Sequence, residues 1–578
     1  MATVSRPRAP RGIHFALAWL ALSFPVTARA AWPPDPLTNV PLCVTPYSSR
    51  IGAAVSDGQG GAIAVWFEDR GGDFDVFARR VRFDGTPLWT SNGVPVCVTT
   101  PGTAQVLPEA VSDGADGVIV GWLDGRAGPN ALFLQRVDST GARPWAAGGV
   151  IAASTASSQL SDFSLVADGA GGVVAAWATP QNGVSSDIFA QHLNASGTAL
   201  WGANGKALCT DPGDQVNPVV TRTGAGNFVV AWEDGRLGFR TEIYGQSVSG
   251  AGTLQWAANG RKLAGSADNA INPMLAPSAG SDCLLFWDAD TLGVGDVRGL
   301  RLDATGAAVW AGAGLRMFPA GANGLLGVAT DELGGAYLSM ARPDPASGNS
   351  VLWVQRAQSS GLLLFGAQGM RASSIRSNQY QLSMTPDASG GLLMTWYDDV
   401  RGLSPQADII AQRITPGGGT PWAQSGVPVC RAPNTGPGLF VAPDGAGGAV
   451  VAWSDTRNSP SPDIYAQGVD SIGELGTGLG VKPSPTAAPT ALARPAPNPL
   501  PHGRASISYS LTATQRVQLR VVDPVGRVVG VLEDGVRGAG VHEVEWDGRA
   551  NGQRLPPGLY LVQLLTPSRN EIRRLVLL

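Results

Sequence analysis

Apolar and polar positions along this chain repeat with a step of about 55 residues. Each repeat carries a run that is apolar at consecutive positions and ends on Trp. It reads Ala-Ile-Ala-Val-Trp at 62–66, Val-Val-Ala-Ala-Trp at 173–177, Phe-Val-Val-Ala-Trp at 228–232 and Ala-Val-Val-Ala-Trp at 449–453. The first Trp recurs as Trp66, Trp122, Trp177, Trp232, Trp287, Trp396 and Trp453, with a degenerate copy around Met340. A second Trp follows in every unit but the last, at Trp89, Trp145, Trp201, Trp256, Trp310 and Trp422, with Phe365 in the degenerate one. A strand in a sandwich with one wet face would alternate; one that is apolar throughout needs cover on both sides. Around it the pattern predicts three more strands. In the first unit these are Ile51–Ser56, Asp75–Val81 and Val94–Val98, with a turn at Asp57-Gly58-Gln59-Gly60-Gly61 before the Trp strand Ala62–Trp66. Gly and Pro interrupt every window in which a helical period would have to run.

Four-stranded units at this period predict an all-β chain: an eight-bladed β-propeller, or a seven-bladed one if the Met340 unit merges with a neighbour. The last copy keeps Trp453 and Asp463-Ile464-Tyr465-Ala466-Gln467 but has no second Trp. The missing half stands near the N-terminus, as Trp32 followed by Asn39-Val40-Pro41-Leu42-Cys43, and is expected to complete the last blade so that no long edge stays open. It differs from Trp89 to Cys97 by three additional residues.

Composition adds an address. Arg6, Arg8 and Arg11 precede an apolar stretch from Ile13 to Phe24, and Ala28-Arg29-Ala30 offers small residues for cleavage, so residues 1–30 read as a signal peptide. The apolar run is about a dozen residues, short of the ~20 that span a bilayer, and no transmembrane segment is expected. A secreted or cell-surface location follows as an expectation. Net charge is −4 with no basic block, which argues against nucleic acid as a partner. Cys43, Cys97, Cys209 and Cys430 stand at one equivalent place in four units, too far apart to pair with one another, and are read as small buried apolar residues. After a propeller over 31–481, a Pro-rich linker spans 482–501 and a β-patterned domain spans 502–578.

The motifs of that last domain run in order. They are Asn498-Pro499, Ile507-Ser508-Tyr509-Ser510-Leu511, Val521-Val522-Asp523 with Gly526-Arg527, Gly540 to Arg549 with Trp546-Asp547-Gly548, and Gly558-Leu559-Tyr560. In this order they resemble the FlgD-type Ig-like domain of exported bacterial proteins, and the C-terminal sorting domains of type IX secretion. The resemblance implies a small Ig-like β-sandwich used in attachment or secretion. Trp-x-Asp-x-Arg followed by Asp-Ile-Tyr is similar in rhythm to TolB-like propeller repeats.

Candidate chemistry is mostly repetitive, and repetition favours structure. Glu68-Asp69-Arg70, Asp124-Gly125-Arg126, Asp234-Gly235-Arg236, Asp398-Asp399-Val400-Arg401 and Asp455-Thr456-Arg457 follow the first Trp. There Asp is expected to cap the hairpin and Arg to bridge to the next blade. The units without the pattern, at Trp177-Ala178-Thr179-Pro180 and Met340, are where a pocket is expected. Asp57, Asp168, Asp387 and Asp444 stand nearly alone in their turns, which suits turn chemistry better than calcium. Past residue 30 the histidines are His192, His502 and His542; His192 reads as a surface strand position and His542 as structural. The regular Trp residues favour core packing over carbohydrate stacking. No catalytic, cofactor or metal residue is assigned. The expected function is noncatalytic: binding and scaffolding, with an unidentified protein or carbohydrate ligand on the propeller face. The terminal domain would meet the cell envelope or secretion machinery. The alternative is an extracellular polysaccharide hydrolase or lyase with carboxylates at the propeller mouth.

Overall fold

The computed structural model describes residues 32–476 apart from 71, 98–102, 128–129, 154–159, 161, 181–184, 266–268, 292–293, 311, 320, 322–323, 404–405, 432–434 and 459. It also describes residues 491–577 apart from 493–499, 501–504, 512–514, 525–526, 538–539, 551–552 and 567–569. The signal-peptide reading of residues 1–30 lies outside the described residues. Among those described, no helix is long and apolar enough to cross a membrane.

Eight four-stranded antiparallel sheets follow one another. Blade 1 comprises Ser49–Ser56, Ala62–Asp69, Phe74–Val81 and Val94–Cys97, and blade 2 comprises Gln105–Ser112, Val118–Asp124, Ala131–Val137 and Val150–Ala153. Blades 3 to 7 begin at Phe163–Ala167, Asn-containing Gln215–Arg222, Asn269–Pro277, Leu325–Thr330 and Gln379–Pro386. The Met340 unit is a complete sheet, blade 6, so the number is eight. Blade 8 takes Thr435–Pro443, Ala449–Asp455 and Asp463–Val469 from the end of the array and Val40–Cys43 from its start. Val40 pairs with Ala466 and Cys43 with Ile464, across a register shift between Pro41 and Cys43. The first strands of successive blades contact one another, and that of blade 8 contacts that of blade 1, so these strands are innermost.

Three repeated devices explain why this sequence makes blades. The Trp strands are buried on both faces, Ala62–Val65 and Val118–Val120 being 1 % exposed or less, because a neighbouring sheet covers each side. In the turn before each Trp strand, one Asp oxygen takes two backbone N–H groups: Asp57 Oδ1 accepts from Gln59 at 2.8 Å and Gly61 at 2.7 Å. Gly is required at 61 because a Cβ there would lie 2.1 Å from the Val81 carbonyl oxygen. The second Trp of each unit then reaches the following blade. Trp89 Nε1 donates to Ser139 O at 3.2 Å, Trp145 to Ala195 O at 3.0 Å and Trp422 to Ser471 O at 3.2 Å. Trp32 does the same for blade 8, donating to Phe83 O of blade 1 at 2.9 Å. It lies on Gly85 as Trp89 lies on Gly141. The three additional residues after Trp32 fall in a turn in which Thr38 N–H donates to Asp35 O at 2.9 Å.

The C-terminal unit is a two-sheet sandwich. Ala491–Leu492, Ala505–Leu511 and Gly540–Trp546 form one sheet; Val528–Arg537, Gln515–Val522, Gly558–Leu565 and Asn570–Leu577 form the other. Ile507, Tyr509, Leu519, Val521, Val562 and Leu575 fill the space between them. Leu492 and Leu500 join that core, so the sandwich takes in two pieces of the stretch read as a linker. His542 stacks on Tyr509 with ring centroids 5.1 Å apart. His502 lies outside the described residues.

Candidate functional site

The acid–arginine clusters are structural joints. The indole N–H of Trp122 donates to Asp124 Oδ2 at 3.0 Å, that of Trp232 to Asp234 at 2.9 Å and that of Trp453 to Asp455 at 3.0 Å; Trp66 uses Glu68 at 3.1 Å. Arg236 and Arg457 grip the same carboxylates at 2.6 Å, Arg70 grips Glu68 at 2.7 Å and Arg126 grips Asp124 at 2.9 Å. Each guanidinium lies over an aromatic ring of its own blade: Arg70 over Phe77 at 3.8 Å, Arg126 over Phe133 at 4.0 Å, Arg236 over Tyr244 at 3.9 Å. In blade 7 Asp398 accepts from Trp396 at 3.0 Å, whereas the Arg401 side chain lies outside the described residues.

Two expectations about these joints are corrected. The cluster arginines do not reach the next blade; they reach back to the preceding one, where Cys209 Sγ meets Arg236 at 3.3 Å and Cys430 Sγ meets Arg457 at 3.2 Å. The cysteines are buried and form no disulfide among the described residues, yet they belong to a polar joint and are not plain apolar filler: Cys43, Cys209 and Cys430 accept from the cluster arginines, while Cys97 donates to Gly148 O at 3.5 Å and Cys43 to Glu68 at 3.3 Å. Burial pushes the Cys43 thiol up to about 12 and those of Cys97 and Cys209 to about 11, so they stay protonated. The bridge to the next blade comes from the third strand. Arg80 binds Asp57 at 2.8 Å and Ser139 O of blade 2 at 3.3 Å; Arg356 and Arg413 repeat the pattern on Asp331 and Asp387. His192 is therefore no surface residue. It is 8 % exposed, with Nε2 3.0 Å from Asp168 and Nδ1 3.3 Å from Gly250 O, and it does in blade 3 what Arg does elsewhere.

The axis carries a different chemistry, and nothing in the repeat pattern marked it. Seven innermost strands break register near their start, for example between Val106 and Glu109, Val216 and Val219, and Tyr380 and Ser383, whereas Phe163–Ala167 of blade 3 pairs without a shift among the described residues. At the break Leu107, Asn217, Asn272 and Gln381 take positive φ, between 50° and 54°. Large apolar side chains stay exposed beside these breaks: Leu107 (57 %), Ile271, Leu326 and Tyr380. A cavity of 370 Å³ opens among blades 1, 2, 3 and 8, lined by Ile51, Phe67, Leu107, Pro108, Phe163 and Phe440 together with Glu109 and Asp162. Desolvation pushes the Glu109 carboxyl up to about 7, against one backbone hydrogen bond from Leu165 that lowers it. Among the described residues no group of three or more His, Cys, Asp or Glu side chains is placed to hold a metal ion.

Of the two units without the pattern, that of Trp177 lines the axial cavity through Asp162 and Phe163, the latter paired with Trp177 in the sheet. In blade 3, Leu160 packs with Trp177 in one apolar cluster, and in blade 6 Arg342 lies over Trp353 at 3.7 Å. A further cavity, of 220 Å³, opens beside Trp287 in blade 5. The sequence signal was available: Trp287-Asp288-Ala289-Asp290 carries Ala where the other copies carry the gripping carboxylate.

The fold defines an eight-bladed β-propeller followed by an Ig-like sandwich, and comparison with known proteins agrees on the second part. Residues 501–568 match the FlgD Ig-like domain family. No curated protein matches the chain. A Dyadobacter fermentans protein of unknown function is similar over 64 % of this chain and 96 % of its own, at 10 % identity and a TM-score of 0.34. Bacillus subtilis levansucrase is similar over 46 % and 85 %, at 12 % identity and 0.28. An endo-arabinase from Bacteroides thetaiotaomicron is similar over 43 % and 92 %, at 12 % and 0.26. These likenesses pass no activity to this chain.

Proposed function

We propose that this chain is an exported bacterial binding and scaffold protein without catalytic activity. Its propeller receives an apolar part of a protein or carbohydrate ligand at the axis, and its Ig-like sandwich serves attachment or secretion. Leu107 carries this reading. It holds a positive φ of 52°, where the equivalent residues of blades 4 and 5 are Asn, and it is 57 % exposed at the axial cavity. A bulky residue in that conformation costs about 1 kcal/mol, and an exposed Leu gains nothing from folding to offset it. Such strain is retained where a surface is used. The acid–arginine clusters support the same reading, because their carboxylates are engaged inside the blades.

A second reading, a polysaccharide hydrolase, is favoured by one observation. Glu109, raised to about 7, shares the axial cavity with a second carboxyl, that of Asp162, and a proton-holding carboxyl in a pair suits glycosidic cleavage. One experiment separates the two. Cells producing the full chain, a chain ending at residue 481, and the double variant Leu107→Asn/Tyr380→Ser are fractionated, and the purified proteins are assayed for reducing ends released from envelope polysaccharides. Binding predicts loss of surface retention on truncation, weaker capture of ligand by the double variant, and no reducing ends. Reducing-end release that disappears in Glu109→Gln would reverse the assignment; retention unchanged in both altered chains would remove the binding role.

A further inference from the structure

The 220 Å³ cavity between blades 4 and 5 is a joint from which parts are missing. In blade 4 the joint consists of Gln215, paired with Asp234, and Cys209 of the preceding blade. In blade 5 the same register positions hold Ala270, paired with Ala289, and Ala264. All three alanines line the cavity. The volume left open equals that of about seven water molecules at ~30 Å³ each.

What remains around the space is complementary to a carboxylate. Trp287 is 3 % exposed and lines the cavity, and among the described residues its indole N–H has no acceptor. In five other blades that N–H binds a carboxylate oxygen at 2.9–3.1 Å. Arg298 takes the place of the ring residue in the third strand, opposite Trp287. Its Nη1 donates to Ala313 O at 3.1 Å, the position from which Arg70 takes Asn92 O in blade 1, and its Nε is buried without a partner. The guanidinium thus stands in the joint, but the acid it would grip is absent; its contact with Asp296 is a long 3.4 Å, and Asp296 is held at 2.7 Å by Arg316. Lys262 completes the lining and shares Glu242 with Arg240, at 2.6 and 2.9 Å. The lining thus carries two cations, Lys262 and Arg298, and no carboxylate of its own, beside an indole N–H donor. Carboxylates are the anions that accept from both groups in the intact joints.

We propose that this cavity binds a small carboxylate, whose oxygens occupy the place that Asp124, Asp234 and Asp455 fill in their own blades. The site lies away from the axis and stands independently of the reading above. The full chain is dialysed against radiolabelled acetate and succinate, with chloride at equal concentration as competitor, and the Trp287 indole resonance is followed during the titration. Saturable binding that moves this resonance is expected, at least tenfold weaker in both Trp287→Phe and Ala289→Asp, with Tm raised in the second because the side chain supplies the missing acid. The proposal is overturned if neither acid binds, if chloride competes on equal terms, or if Trp287→Phe, a substitution that keeps the core filled, binds as well as the parent chain.

Discussion

Glu109 shows how one side chain at the axis departs from its repeat. The equivalent residues are Val219 in blade 4 and Ser383 in blade 7, so the carboxyl enters a place built for smaller or apolar groups. With its pKa raised from 4.5 to about 7, the folded chain holds this proton more tightly than the unfolded chain does. The contribution is therefore complete below pH 4.5 and is lost as pH rises through 7. Glu109→Gln is expected to gain about 2 kcal/mol over the parent at pH 8, after allowing for partial exposure, and almost nothing at pH 4. Urea unfolding at the two pH values checks this; an equal gain at both would mean an ordinary carboxyl. His192 is a residue whose place the repeat alignment located correctly and whose burial it did not. It stands in blade 3 where Arg80 stands in blade 1, and only the neighbouring Asp168 and the Gly250 carbonyl make that position internal.

At the scale of the element, the N-terminal strand decides the most. Val40–Cys43 covers the edge of Asp463–Val469, and Trp32 and Leu42 are wholly buried. Trp32→Ala is expected to cost about 3–5 kcal/mol, the range for a buried Trp, and to lower Tm accordingly. Removing residues 32–43 would also bare the edge of Asp463–Val469, so sedimentation should show self-association that the point variant lacks. The split blade was legible because Trp and Cys recur at fixed offsets, and a missing half at one end matched a surplus half at the other. The bulges of the innermost strands were not legible. Leu107 and Gln381 carry no turn signature, and their positive φ belongs to the register breaks in which they lie.

For the whole molecule, the two units have separate cores, one set between the blades and one between the sheets of the sandwich. Calorimetry should resolve two transitions, and a chain ending at residue 481 should keep the propeller transition within a few degrees while losing the other. A single transition, abolished by that truncation, would mean that the units fold as one. The periodic placement of Trp, Gly and Asp sufficed by itself for the all-β class, the four-stranded blade and an array of eight or seven of them, because each depends on contacts that recur at constant spacing; the Ig-like end was legible as a resemblance carried by an ordered set of motifs, and the complete sheet around Met340 made the number eight. The direction in which the cluster arginines reach, the polar use of the cysteines, the apolar axis around Leu107 and Glu109, and the vacated joint beside Trp287 were decided only by the tertiary structure. Each of these arises between residues of different blades, where side chains far apart in the chain share one space and no local pattern records what the neighbour supplies.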